Sequence, residues 1–163
     1  MHAPLNLPDA LLWGFVATLV LSTMLTAAWG LGFSRMSVTF LLGTMFTADR
    51  QRAKLYGLLF HMANGWAFAF LYVAAFESLR QATWWLGALI GVIHALFVLG
   101  VAMPLMPSMH PRMASVVQGP TAVRRLQPPG FMALHYGRRT PEVTILAHAV
   151  YGAILGAFYH LAG

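Results

Sequence analysis

Charged residues and long apolar runs alternate along this chain. Four stretches carry no Asp, Glu, Lys or Arg: between Asp9 and Arg35, between Lys54 and Glu77, between Arg80 and Arg112, and from Val143 onward. Each is long enough for the roughly 20 apolar residues that cross a bilayer as a helix. Helices are expected, because a lone apolar run has to satisfy its backbone hydrogen bonds internally. The pattern predicts a single all-α transmembrane domain over residues 1–163, with four transmembrane helices. They are placed at about Ala10–Leu31, Leu55–Phe76, Thr83–Met103 and Val143–Leu161, with Pro104 and Pro107 closing the third. A shorter apolar piece, Met36 to Ala48, has Val38, Leu41, Leu42, Met45 and Phe46 at helical spacing. It suits a short interfacial helix, with a re-entrant segment as the alternative. The stretch from Pro104 to Pro141 holds seven of the nine prolines and reads as irregular.

The chain also matches itself at an offset of 87 residues. Leu59-x-His61-x-x-x-Gly65 falls on Leu146-x-His148-x-x-x-Gly152, and Tyr72 falls on Tyr159. Gly43 meets Gly130, Met45 meets Met132, and Arg52 meets Arg139, which makes Gly130 to Tyr136 the counterpart of the first interfacial piece. At about 100° per residue, His61, Gly65 and Tyr72 lie within roughly 40° of one another on a helix. His148, Gly152 and Tyr159 do the same, with Asn64 and Tyr151 flanking the two stripes. The expected architecture is two tandem helix pairs, roughly residues 10–76 and 83–163. A pseudo-twofold axis along the membrane normal would then bring both stripes to the bundle centre.

Composition agrees with a membrane class. Of 163 residues, 59% are hydrophobic and 9% charged, against about 25% charged in a soluble domain. Cysteine is absent, which excludes disulfides, thiolate metal sites, iron–sulfur clusters and covalently attached c-type haem. No basic residue precedes Asp9, so the first apolar run is read as a retained span and not a signal peptide. Trp13 and Trp29 stand near its two ends, as interfacial anchors do.

Charge sets the expected orientation. Arg35, Arg50, Arg52 and Lys54 lie in the first loop, and Arg112, Arg124, Arg125, Arg138 and Arg139 in the third. Only Arg80 lies on the opposite side. The positive-inside bias puts these loops in the cytoplasm and both termini outside. Topology accounts for the basic residues, and acidic lipid headgroups are their other natural partner. A nucleic-acid partner is not implied.

The candidate chemistry is histidine chemistry. Asp9, Asp49, Glu77 and Glu142 all fall outside the expected spans, which argues against a carboxylate-based pump. No phosphate-binding loop, H-E-x-x-H or paired-carboxylate motif is present. Ser22, Thr23 and Thr26 make the first span hydroxyl-rich, for interhelical or back-bonding hydrogen bonds, and no base is placed beside a serine nucleophile. His2, His110, His135 and His160 belong to tails, loops or helix ends, whereas His61, His94 and His148 lie inside spans. Gly87-x-x-x-Gly91 on the face of His94, and Gly152-x-x-x-Gly156, are expected helix-packing surfaces that turn His94 toward a neighbouring helix. His61 and His148 at equal depth, with Gly65 and Gly152 leaving space, are candidate ligands for a b-type haem. The alternatives are hydrogen bonds to each other, to Asn64 or to a carbonyl, and a role with another metal or a quinone.

The four-span pattern with Gly43-Thr44-Met45-Phe46, His61 to Tyr72 and His148 to Tyr159 resembles small bacterial inner-membrane proteins without an assigned activity. The resemblance implies a bacterial inner-membrane location and no catalytic residue. The leading functional expectation is a non-enzymatic accessory or scaffolding subunit, self-associating as a homo-oligomer or docked to a larger membrane complex. A haem-binding electron carrier and a carrier for a small solute or lipid are the alternatives.

Overall fold

Asn6 starts the first helix by accepting a hydrogen bond from the Asp9 amide at 3.3 Å. Asp49 caps a later one more fully, taking the amides of Gln51 and Arg52 at 2.9 and 2.8 Å. These are the groups that a helix N-terminus otherwise leaves unsatisfied. A computed structural model of the chain describes residues 5–115 and 117–162; His2 lies outside them. Its helices are α1 (Leu7–Gly30), α2 (Val38–Gly43), α3 (Arg50–Leu79), α4 (Trp84–Phe97), α5 (Met103–Met109) and α6 (Thr140–Phe158). No strand occurs among the described residues. Four helical segments are long and apolar enough to cross a membrane: Leu7–Gly30, Arg50–Leu79, Trp84–Met109 and Thr140–Phe158. At 30 residues α3 is the longest, about 45 Å of helix.

The third segment runs past Pro104, contrary to the sequence expectation that Pro104 closes it. Val98–Ala102 forms a π turn joining α4 to α5, and the helix continues to Met109. Proline lacks an amide and its ring crowds the carbonyl four residues earlier, here that of Gly100. Widening the preceding turn relieves that crowding without ending the helix. A second difference lies in the third loop. Phe131–Tyr136 is a 3₁₀ segment with Met132 and Ala133 in left-handed conformations (φ 53° and 57°), whereas its expected counterpart contains the α-helix α2. The paired residues of the two loops therefore take different backbone conformations.

Three seams of small residues hold the helices together. Along α1 and α3, Gly14 lies against Ala69, Thr18 against Gly65, and Ser22 against His61. Along α4 and α6, Gly87 meets Gly152 and Gly156 while Gly91 meets the backbone of His148 and Ala149. Along α2 and the start of α3, Gly43 faces Ala53 and Gly57, and Gly57 faces Thr39. Each seam spaces its small residues four apart, which puts them on one face and lets backbones approach closely. α1 also packs on α6, whereas α3 and α4 scarcely approach at the backbone level. Bulky residues such as Leu12, Leu19, Leu71 and Ile93 face outward, as lipid-facing positions do.

The two large loops fold over one end of the bundle and bond to each other. The Arg35 amide donates to the Tyr136 carbonyl at 2.8 Å, Arg112 Nη1 to the Thr44 carbonyl at 2.6 Å, and Ser34 and Thr140 share a hydroxyl bond at 2.8 Å. At the opposite end Asp9 Oδ2 takes both the amide and Nδ1 of His160, and Glu77 Oε1 takes the Tyr159 hydroxyl and the Ala162 amide.

Filling a seam should break it. Gly152→Val or Gly87→Val adds side-chain volume where the facing atoms are backbone, and is expected to cost about 1–3 kcal/mol or more. Gly100→Ala has open space around it and should change little. Thermal unfolding in mild detergent checks the contrast.

His110 supplies a pH-dependent contact in the loop layer. A carbonyl only accepts, so the 3.0 Å bond from His110 Nε2 to the Leu41 carbonyl puts the proton on Nε2. Its Nδ1 then accepts from the Arg112 amide at 3.1 Å. Burial pushes the His110 pKa below its ordinary value of about 6.5. The unfolded loop then binds a proton more readily than the folded one, so the contribution is complete above about pH 6.5 and is lost as pH falls through the folded value. Amide exchange at Arg112, corrected for its intrinsic rate, should rise from pH 7 to pH 5. In His110→Ala it should already be fast at pH 7.

Candidate functional site

Three helices each bring one histidine to the interior of the bundle. His61 comes from α3, His94 from α4 and His148 from α6, and all three line one cavity of about 170 Å³. Leu21 and Leu25 of α1, Phe97 of α4 and Met103 and Met106 of α5 supply apolar wall. Polar wall comes from Asn64, Thr144 and Tyr151.

The ring contacts define the protons. His148 Nδ1 lies 2.8 Å from the Thr144 carbonyl, one turn earlier on α6, and so carries a hydrogen that it donates. His61 Nδ1 lies 2.9 Å from Ser22 Oγ, whose own hydrogen goes to the Thr18 carbonyl at 2.8 Å. The hydroxyl has one hydrogen and that carbonyl can only accept, so His61 Nδ1 is the donor to Ser22. His94 Nδ1 meets the Tyr72 hydroxyl at 3.1 Å. Its ring stacks on Phe68 with centroids 3.9 Å apart and stands edge-on to His148 at 4.7 Å. Tyr151 donates to the Gly65 carbonyl at 2.6 Å, and its ring meets that of Tyr72 at 5.3 Å.

This arrangement couples two helices whose backbones scarcely approach. α3 and α4 lack a close backbone seam, and His94 bridges them through Phe68 and Tyr72. His94 was expected to face a neighbouring helix, and its neighbours are α3 and α6. The two repeated stripes meet only in part: His61 and His148 line the same cavity and the Tyr72 ring approaches Gly152, while the small residues pack elsewhere. His61, Gly65 and Ala69 pack on α1, and His148, Gly152 and Gly156 pack on α4. The small residues explain the difference: a stripe of glycine and alanine is most stable where another backbone can come close.

The pairs expected from the offset of 87 also diverge at their ends. Tyr72 is buried inside and meets His94, whereas Tyr159 lies at the far end, donating to Glu77 and accepting from the Asn6 amide at 3.1 Å. Sequence reasoning singled out Tyr72 and Ser22 but not their pairing with His94 and His61, and it missed Phe68. Ser22 was detectable as one of a hydroxyl-rich set, and with Gly14 and Thr18 it lies at the four-residue spacing of a packing face. Thr23, beside it, only back-bonds to Leu19 on an exposed surface.

Chemically, the site is polar, with the Nδ1 atom of each histidine engaged within the bundle. Ser22 and His61 touch as a nucleophile and base would, yet the histidine donates and no carboxylate lies beside it to hold the reverse tautomer. Among the described residues, no three His, Asp or Glu side chains converge on a metal position. A b-type haem does not fit here. The cavity falls below the roughly 300–1,000 Å³ of ordinary ligand pockets. Gly65 and Gly152, candidates for giving a macrocycle room, have that room filled by Thr18 and Gly87.

These features define a helical protein whose four long segments suit a bilayer and whose interior is tied by histidine contacts. No protein-family model matches the chain, and no curated protein or solved structure matches it.

The side-chain bonds should be measurable singly. Tyr72→Phe and Ser22→Ala each remove one interhelical hydroxyl and are expected to cost about 0.6–2 kcal/mol in detergent. A double-mutant cycle of Tyr72→Phe with His94→Ala should give a non-zero coupling energy. Thr23→Ala with His94→Ala should be additive.

Proposed function

We propose that this chain is a multi-pass protein of a bacterial inner membrane, serving as a non-enzymatic accessory or scaffolding subunit of a membrane assembly. Its four long segments form two tandem helix pairs, α1 with α3 and α4 through α6, with the basic loops in the cytoplasm and both ends outside. α2 and the 3₁₀ segment lie at the cytoplasmic interface. The observation carrying the functional reading is the closed interior. His61, His94 and His148 each find a partner within the bundle, and no carboxylate lines their cavity. A set of polar groups that satisfy one another fixes helix positions, which is what a scaffold requires. The seams support the paired architecture, since each histidine stripe packs on the long helix preceding it. Nine of the ten Lys and Arg gather at one end, which supports the orientation.

A second reading is a carrier or receptor for a small neutral solute. It is supported by the cavity beside His61 and His148, whose Nδ1 atoms are spent as donors and whose Nε2 atoms are left as acceptors. A solute bearing a hydroxyl would suit them.

Three measurements on the full chain separate these readings. Engineered cysteines report topology without background, because the chain has none. Gln81→Cys should react with an impermeant thiol reagent in intact cells, and Thr121→Cys only after the inner membrane is opened; the reverse pattern overturns the orientation. Purification in mild detergent should retain the same protein partners, or a second copy, at fixed stoichiometry. A monomer without partners that carries solute across vesicle membranes would replace the scaffold with the carrier. The absorption spectrum should be colourless after haem is added. A Soret band lost in both His61→Ala and His148→Ala would overturn both readings in favour of haem.

A further inference from the structure

A cavity larger than the one at the histidines lies apart from it, beneath the two basic loops. It measures about 570 Å³, within the ordinary range for a ligand pocket. Its wall carries four cationic side chains, Arg35, Arg50, Lys54 and Arg125, and no carboxylate. They come from three separate parts of the chain: the loop after α1, the first turns of α3, and the third loop.

None of these cations is neutralised within the described residues. Ion pairs there are confined to Arg80 with Glu77 and His160 with Asp9, both at the other end. Asp49, the nearest carboxylate in sequence, is turned onto the amides of Gln51 and Arg52. Arg35 donates to the His135 carbonyl and Arg125 to the Ala122 carbonyl, at 2.5 and 2.7 Å, bonds that hold the guanidinium groups without cancelling their charge. Arg50 lies over the Phe40 ring, 5.7 Å from its centroid. Lys54 makes no side-chain hydrogen bond there. Four like charges around one cavity repel one another, and an anion carrying several acceptor oxygens converts that repulsion into binding.

The rest of the wall indicates the form of the anion. Trp29, at the end of α1, and Tyr136 are residues that favour the headgroup level of a bilayer. Met36 and Leu41 line both this cavity and the histidine cavity, so an apolar wall separates the cationic space from the bundle interior. Basic pockets at helix ends on a cytoplasmic face are suited to anionic lipid headgroups.

We propose that this cavity binds the phosphate group of an anionic ligand, supplied by a membrane phospholipid whose headgroup enters between the two basic loops. The lipid source rests on the membrane reading above, whereas the cation cluster does not. Binding in detergent also leaves the scaffold and carrier readings undecided, so this inference and that one fail separately.

The test is native mass spectrometry of the full chain in detergent, titrated with phosphatidylglycerol, with phosphatidylcholine, and with inorganic phosphate alone. The compared variants are Arg50→Gln with Lys54→Gln, which removes two cavity charges, and Arg52→Gln with Arg124→Gln, which removes two charges from the same end outside the cavity wall. Phosphatidylglycerol should be retained over phosphatidylcholine, and the cavity pair should weaken it about tenfold or more. The control pair should change it less than threefold. Lining-dependent binding of inorganic phosphate without lipid preference would overturn the lipid source and assign the cavity to a soluble phosphate compound. Equal losses in the two pairs would overturn the site altogether, leaving only general attraction to negative charge. Thermal unfolding of both pairs verifies folding, and the single variants Arg50→Gln and Lys54→Gln carry the same comparison if a double variant fails to fold.

Discussion

Close approach of helix backbones is the constraint on which this structure depends. In a bilayer the lipid tails are as apolar as leucine, so helices gain little by burying leucine against one another. Contact comes instead where side chains are small enough for the main chains to meet. Gly87 and Gly91 against His148, Gly152 and Gly156 make one such surface, and Gly14 and Thr18 against Gly65 and Ala69 make another. The third, Gly43 against Ala53 and Gly57, clamps the short α2 onto the entry of α3. Large apolar residues are left on the outside, where a soluble fold would have placed its charges.

Polar contacts complete what the seams leave open. α3 and α4 have no such surface between them, and the gap is filled by the His94 ring on Phe68 and the Tyr72 hydroxyl. In a low-dielectric interior an unpaired polar atom is costly, so a set of mutually bonded groups restricts the helices to a few rotations. The same logic shapes the loop layer, where Ser34 with Thr140 and Arg112 with the Thr44 carbonyl join segments far apart in sequence. The cationic cavity departs from this self-sufficiency. Among the described residues its charges face a shared space without an internal counter-ion, and it therefore differs in kind from the histidine cavity.

The sequence by itself determined the four long helical segments, because a charge-free run of sufficient length has few alternatives in a bilayer. It also determined that the large loops share one end, since the two long segments between them return the chain to the side it left, and that the glycine pairs of α4 and α6 are packing surfaces. His61, His94 and His148 could be singled out as interior polar groups from their positions in apolar runs. Only tertiary structure decided their partners. Ser22, Phe68 and Tyr72 are common residues whose spacing says nothing about which helix they will face. The two histidine stripes were readable as stripes, but not their direction, because the small residues that suggest room for a ligand equally suit the close approach of a neighbouring helix. The helix past Pro104 depends on a local widening at Val98–Ala102 that residue identity does not announce. The cationic cavity is wholly a product of folding: Arg35, Arg50, Lys54 and Arg125 span 91 positions, and only the joined loops bring their charges onto one wall.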